Sequence, residues 1–416
     1  MIDERKFVQI GAGNIGRSFI GQVFARAGFE VVFIDVNETL VRELNRRRRY
    51  RVEIKDVESA TLWIEGVRAV DGRDLEACAH ELATCRLAGT AVGAKAVPHI
   101  LPTIAAGLQE RVRRGHPPLD LIIAENLRGA AEVFREGLRQ HLPADFALDE
   151  NLGLIETSIG KMVPIMPEDV REQDPLLVYA EAYNTLTCDA RGFRNPIPDV
   201  PGLDPKQNMA AYVDRKLFVH NLGHACCAYF GHLVDPAMEY IWQAIEHPLI
   251  AAATRRAMWE SGRALVQGYP DEFDEAGMGE HIEELVRRFA NQALGDTIFR
   301  VGRDIPRKLG HEERLVGAML FDLRHGVVEP LVTAHAAAAA FFFRATDEHG
   351  QLFDADRQFA EELFPQGVDY VLTHVSGLHK EVAEEAAVRR LIAEAYEHVE
   401  RQGRDGTRVL ADLLEQ

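Results

Sequence analysis

The sequence predicts a two-part α/β protein: a domain built on a parallel sheet covered by helices on both faces, followed by a domain made mostly of helices. Three observations predict it. A glycine-rich turn, GAGNIG at Gly11–Gly16, joins a short apolar run to a helical stretch. Strand-like and helix-like segments then alternate as far as His141, the pattern of a parallel sheet with crossover helices. Beyond the stretch NPIPDVPGLDPKQN (Asn195–Asn208), which holds four prolines and a glycine, helical periodicity takes over. The expected division is residues 1–195 and 196–416.

Each element has its own justification. Phe7–Ile10 is apolar and short, as a buried strand should be, and the glycine turn follows at once. A helix then runs from about Arg17 to Ala27, with Gly28 suited to end it. Val31–Asp35 (VVFID) is a second strand closing in an acid, which completes a strand–turn–helix–strand unit. Further strands are predicted at Tyr50–Ile54, Leu62–Val70, Leu87–Val92 and Leu119–Ala124, with helices at Pro98–Arg113 and Ala130–His141. After the proline-rich stretch, helices are predicted at Met209–Leu233, Pro236–Gln267, Met278–Ala293, His311–Arg324, Pro330–Thr346 and Lys380–Gln402.

Composition narrows the function. The chain has 416 residues, 47% apolar and 27% charged, so it has ample material for real cores and is neither disordered nor a small disulfide scaffold. The formal charge of −18 opposes phosphodiester backbones, so no nucleic-acid partner is expected. The block AHAAAAAFFF (Ala334–Phe343) is too short to span a bilayer and reads as a buried helix, so no membrane partner is expected either. MIDERKFVQIG at the start has no apolar signal region. Five cysteines without CxxC spacing read as reduced thiols of a cytoplasmic protein, and no residue set has zinc-ligand spacing.

Three segments carry chemistry. In GAGNIG, Gly11 permits a tight turn, Gly13 lets backbone N–H groups approach a pyrophosphate, and Gly16 lets the helix pack closely on its strand. Ala12, Asn14 and Ile15 complete the cradle at the helix N-terminus. The context after a strand and before a helix, with Asp35 19 residues past Gly16, identifies a Rossmann-type dinucleotide site. A carboxylate at Asp35 accepts from ribose hydroxyls and repels a 2′-phosphate, so NAD is expected over NADP. The turn at Ala91–Gly93, with Val92 and Gly93, is placed to lie near the cofactor. The second segment is the apolar helix YVDRKLFVHNLGHACCAYFGHL (Tyr212–Leu233). Counted from Lys216 at helical spacing, Asn221 lies about 140° and His224 about 80° round, so the three share one side, with His220 in the same arc. Spacing alone leaves a satisfied core network and a reactive site equally open. The third is RVGRDIPRKL (Arg300–Leu309), where basic residues converge on a loop-like stretch: an anion pocket or a solvated turn.

Taken together, GAGNIG, AENLRG (Ala124–Gly129), the KxxxxNxxH helix and RVGRDxxRKL, in this order over most of the chain, resemble the polyol-specific long-chain dehydrogenases, the mannitol dehydrogenase family. The resemblance implies a Rossmann-type domain followed by a helical one, NAD as cofactor, and no metal. It implies that Lys216 is the catalytic lysine, Asn221 and Asn126 stabilise an oxyanion, His224 holds the substrate, and Arg300 and Lys308 are basic substrate-binding positions. The expected reaction is reversible hydride transfer between NAD and a sugar alcohol phosphate, giving a ketose phosphate: mannitol 1-phosphate to fructose 6-phosphate. Free mannitol and hexuronates such as tagaturonate or fructuronate are the alternatives within the family, and a non-catalytic NAD-binding regulator the alternative outside it. One stretch departs from the pattern. TSIGKMVP (Thr157–Pro164) has Gly160 and Lys161 where the family usually carries Asp-Arg, which puts the exact polyol in question. The sequence does not decide between monomer and dimer.

Overall fold

A computed structural model describes residues 1–164, 166–326 and 329–415. The chain divides into two compact units, Met1–Met209 and Ala210–Gln416.

The first unit holds the strands β1 (Asp3–Ile10), β2 (Glu30–Asp35), β3 (Arg49–Ile54), β4 (Ala60–Glu65), β5 (Val67–Asp71), β6 (Cys85–Thr90), β7 (Leu119–Ile123), β8 (Leu152–Ser158), β9 (Val178–Ala180), β10 (Leu186–Asp189) and β11 (Leu203–Lys206). The main sheet runs β11-β10-β8-β7-β6-β1-β2-β5, and a smaller one β4-β3-β9. From β5 to β8 all pairings are parallel. Register is set by apolar residues: Phe7 lies opposite Val31 on one side and Leu87 on the other. These strands are near-continuous apolar runs because both faces are covered. Alternate residues feed separate cores. Phe7, Val31 and Phe33 pack with Phe19, Ile20, Val23 and Phe24, whereas Val8, Ile10, Val32 and Ile34 pack with Leu82, Leu101, Ile104, Leu108 and Phe134.

The strand order places the switch point at β1 and β6, whose neighbours lie on opposite sides of the sheet. In open α/β sheets, ligands bind at the carboxyl ends of the strands at such a point. GAGNIG follows β1 and Ala91–Gly93 follows β6, so both turns sit there.

Two expectations change here. The stretch Leu62–Val70 is two strands, because Gly66 takes φ 71° and turns the chain: β4 folds back antiparallel on β3, and β5 joins the main sheet beside β2. The strands β8 to β11 were not predicted. Leu152 follows the helical turn Leu148–Asn151 with no turn residue between them, and β11 lies inside the proline-rich stretch, where Leu203–Lys206 pairs with β10.

The second unit is helical. Its first element is a run that starts at Met209, the last residue of the first unit, and reaches Val234 in three parts: an α-helix Met209–Arg215, a wide π turn Lys216–Asn221, and an α-helix Leu222–Val234. Leu331–Phe341 is buried along its length, so the alanine-rich block is a core helix, as expected. Pro236–Gln267 is not one helix. It breaks into Ile241–Glu246 and Pro248–Gly268, since Pro248 has no N–H and begins the second. Among the described residues, no helix is long and apolar enough to cross a membrane. All five cysteines are free and buried.

Candidate active site

In the first unit the glycine turn is built as its residue types require. Gly11 has φ 94°, a conformation that disfavours a side chain. A Cβ on Gly16 would overlap the Gly11 carbonyl oxygen, so the helix packs against the turn only with glycine there. At Gly13 a Cβ would meet nothing within 4 Å. Gly13 and Asn14 are exposed, whereas Gly11, Ala12 and Gly16 are buried. A closed, glycine-packed base under an open face is what a pyrophosphate cradle needs, so these residues fit a dinucleotide.

Asp35 is tied to this turn. One carboxylate oxygen accepts from the Ala12 N–H at 2.7 Å, and the other from the Asn37 N–H at 2.8 Å. Arg17, unremarked in the sequence, is buried beneath the turn. Its guanidinium donates to the carbonyls of Ala12 (2.7 Å), Pro175 (3.0 Å) and Leu176 (2.7 Å). Burial lowers its pKa to about 10, and its hydrogen bonds serve the backbone.

Beside the turn, Val92 and Gly93 follow β6, and Asn126 follows β7 by three residues. Both N–H groups of Val92 and Gly93 are taken by the carboxylate of Glu125, at 2.9 and 2.8 Å. The face over Gly93 is open, since a Cβ there would meet nothing within 4 Å. Asn126 is exposed.

In the second unit the wide turn Lys216–Asn221 carries two of the candidates. A π turn bonds residues five apart, which swings Asn221 round toward Lys216 compared with straight α-helical spacing. Burial, helped by the nearby Arg314 guanidinium, lowers the Lys216 ammonium to about 8. His220, in the same arc, is buried and held neutral. His224 stacks on Phe289 with ring centroids 4.7 Å apart. Its Nε2 lies 3.2 Å from an oxygen of Asp296, close but off-line for a hydrogen bond.

Asp296 is the partner the sequence did not reveal. It is 5% exposed and also bound by the Arg300 guanidinium. Burial alone would raise its carboxyl, but His224 and Arg300 outweigh that and hold it below the usual range. The structure thus brings His224, Asp296 and Arg300 together, and Arg300 is a paired cation.

Lys308 is 3% exposed and donates to the Arg303 carbonyl. Burial first, then Arg314 and Arg307, lower it to about 7. Lys216 and Lys308 therefore share Arg314 as an electrostatic neighbour. The segment around them is not loop-like. It forms two short helices, Ile298–Gly302 and Ile305–Lys308, with Asp304 at φ 69° between them. Asp356 holds that left-handed turn by accepting the N–H groups of Asp304 (3.0 Å) and Ile305 (2.6 Å).

The departing stretch has its own supports. Lys161 is buried and donates to the Tyr183 carbonyl (2.8 Å) and the Asn184 side-chain oxygen (3.0 Å). Tyr183 covers Gly160, where a Cβ would lie 3.5 Å from its ring. Among the described residues, no group of three or more His, Cys, Asp or Glu could hold a metal ion.

A sheet bearing a dinucleotide-type glycine turn, followed by a helical unit that carries a half-buried lysine, fits a dehydrogenase. Residues 5–202 match the mannitol dehydrogenase Rossmann domain and residues 208–400 the mannitol dehydrogenase C-terminal domain. The chain belongs to the mannitol dehydrogenase family. It is 36% identical over 358 residues to a mannitol-1-phosphate 5-dehydrogenase of Brevibacillus brevis, covering 85% of this chain and 91% of that one. It is 33% identical to the mannitol-1-phosphate 5-dehydrogenase of Bacillus licheniformis, covering 90% and 96%. Among solved structures it shares its fold with Pseudomonas fluorescens mannitol 2-dehydrogenase in ternary complex with NAD and D-mannitol. The TM-score is 0.75 at 17% identity, covering 99% of this chain and 95% of that one. A substrate-free D-sorbitol dehydrogenase matches at TM-score 0.76 and 15% identity, covering 97% and 95%.

Proposed function

We propose that this NAD-dependent dehydrogenase interconverts a sugar alcohol phosphate and a ketose phosphate, namely mannitol 1-phosphate and fructose 6-phosphate. The observation that carries the chemistry is Lys216, a half-buried lysine lowered to about 8, on a wide helical turn that ends at Asn221. The phosphorylated substrate is supported by the two relatives named mannitol-1-phosphate 5-dehydrogenase.

Bound NAD would supply the hydride-accepting chemistry. Gly11, Ala12, Gly13, Asn14, Ile15 and Gly16 would hold its pyrophosphate and Asp35 its adenosine ribose, and Val92 and Gly93 would border its reactive end. Neutral Lys216 takes the proton of the substrate hydroxyl as general base. Asn126 and Asn221 donate amide N–H bonds to the oxygen as charge develops on it. His224 orients that oxygen, itself steadied by Asp296 and Phe289. Arg300 and Lys308 bind the substrate's anionic or hydroxyl-rich end, Arg300 through a guanidinium already paired with Asp296.

The acidic surface argues against a nucleic-acid partner, and five free thiols suit a cytoplasmic setting. One observation favours a second reading within the family, free mannitol or a hexuronate: Gly160 and Lys161 stand where a carboxylate and an arginine were expected. NADH oxidation with fructose 6-phosphate, fructose, tagaturonate and fructuronate separates the two. Fructose 6-phosphate is expected to give the highest kcat/KM. Turnover of a free ketose or a hexuronate without turnover of fructose 6-phosphate overturns the proposal.

A further inference from the structure

We propose that Glu125 is a positioning residue that locks the Ala91–Gly93 turn to the Asn126 loop. One buried carboxylate then sets both the border of the nicotinamide end and the oxyanion-stabilising amide. The inference rests on the NAD-dehydrogenase reading above and goes beyond it to a residue outside the glycine fingerprint and the catalytic set.

The geometry begins with where β6 and β7 stop pairing. The last backbone bond there is Ala124 N–H to Thr90 O at 3.0 Å, and on the other side of β6 the last bond to β1 is Ala91 N–H to Ile10 O at 2.9 Å. Beyond them the chain leaves the ladder, and the N–H groups of Val92 and Gly93 have no strand to bond. Glu125 replaces that strand. Its two oxygens accept one N–H each, at 2.9 and 2.8 Å, and the residue is only 4% exposed. A buried carboxylate with both oxygens engaged cannot rotate without stranding two donors. Gly93, at φ 85°, needs such an external constraint, because glycine is the most freely rotating residue.

Asn126 is the next residue after Glu125, so the same clamp fixes one end of its loop. A second carboxylate fixes the other end: Glu156 accepts from the Ala131 N–H at 2.8 Å, in the first turn of the helix Ala130–Arg139. Thr157 adds a bond to the Ile123 carbonyl at 2.8 Å. Residues 126–129 thus lie between two anchored points.

Glu125→Gln is the sharp perturbation. It keeps the shape but offers one acceptor, and its amide turns a donor toward the second N–H. The test measures binding of NADH and of ADP-ribose, which lacks the nicotinamide, to the wild-type and variant proteins, together with kcat. The variant should bind NADH about tenfold more weakly while ADP-ribose stays within about twofold, and kcat should fall on the order of 10–100-fold through misplacement of Asn126. Glu125→Asp keeps two acceptors on a shorter stem and should recover part of both losses, which also serves if the glutamine variant does not fold. Equal weakening of both ligands, or a lower melting temperature with the affinity ratio and kcat unchanged, reduces Glu125 to a packing role and overturns the proposal. Failure of the wild-type protein to bind either ligand is a different result: it removes the NAD reading, and this proposal with it.

Discussion

Lys216→Ala tests the chemistry where the structure makes it quantitative. A lysine at about 8 instead of 10.5 is about one-tenth neutral at pH 7, so burial raises the free-amine population by about 300-fold. For polyol oxidation, log kcat/KM should climb with unit slope up to an apparent pKa near 8 and level off above it. The alanine variant should lose that limb and about 10²–10⁴-fold in kcat, the usual worth of a positioned acid–base group. Binding of NADH should survive, because the glycine turn lies in the other unit. Stability offers a second reading of the same shift. Between about 8 and 10.5 the unfolded chain binds the proton that the folded chain has released. Stability therefore rises with pH across that window, by up to about 3 kcal/mol. Lys216→Met should flatten this rise, measured by urea unfolding at pH 7.5 to 10. A wild-type limb that inflects near the ordinary lysine value, or a folded Lys216→Ala protein with near-normal kcat, refutes the base assignment and leaves His224 as the next candidate.

Asp35→Ser should narrow the preference for NAD over NADP by removing a charge that repels the 2′-phosphate; equal or higher kcat/KM with NADP in the wild-type protein contradicts the assignment. Arg300→Ala should raise KM for fructose 6-phosphate much more than for fructose; equal effects on both would reassign Arg300 to holding Asp296 and His224. Treatment with a chelator should leave activity unchanged, and loss restored by zinc would point to metal chemistry instead.

The first unit was legible to the extent that its signals are local. GAGNIG, the two apolar strands around it and the acid at Asp35 fall within 30 residues of one another, and the turn needs glycine for reasons of space alone. Strands β8 to β11 escaped because short strands tucked behind a helical turn or among prolines have no period to read. In the helical unit, straight-helix spacing put Lys216, Asn221 and His224 on one side, but could not register the wide turn, which no residue type announces. Asp296 lies 72 positions from His224, and Arg314 98 from Lys216, so their pairing is a product of tertiary packing. Arg300 and Lys308 were legible as cations, not as a paired one and a buried one. Glu125 adjoins Asn126 in plain view, and only the position of the Val92 and Gly93 N–H groups shows what it does.

The central claim, NAD-linked oxidation of a sugar alcohol phosphate, is tested most directly by the products of a single incubation. The protein is mixed with NAD and mannitol 1-phosphate, and NADH is followed by absorbance while the sugar products are identified by NMR. One fructose 6-phosphate is expected for each NADH, with formation of both slowed about 10²–10⁴-fold in the Lys216→Ala protein. Absence of NADH with mannitol 1-phosphate, alongside turnover of free mannitol or a hexuronate, would contradict it.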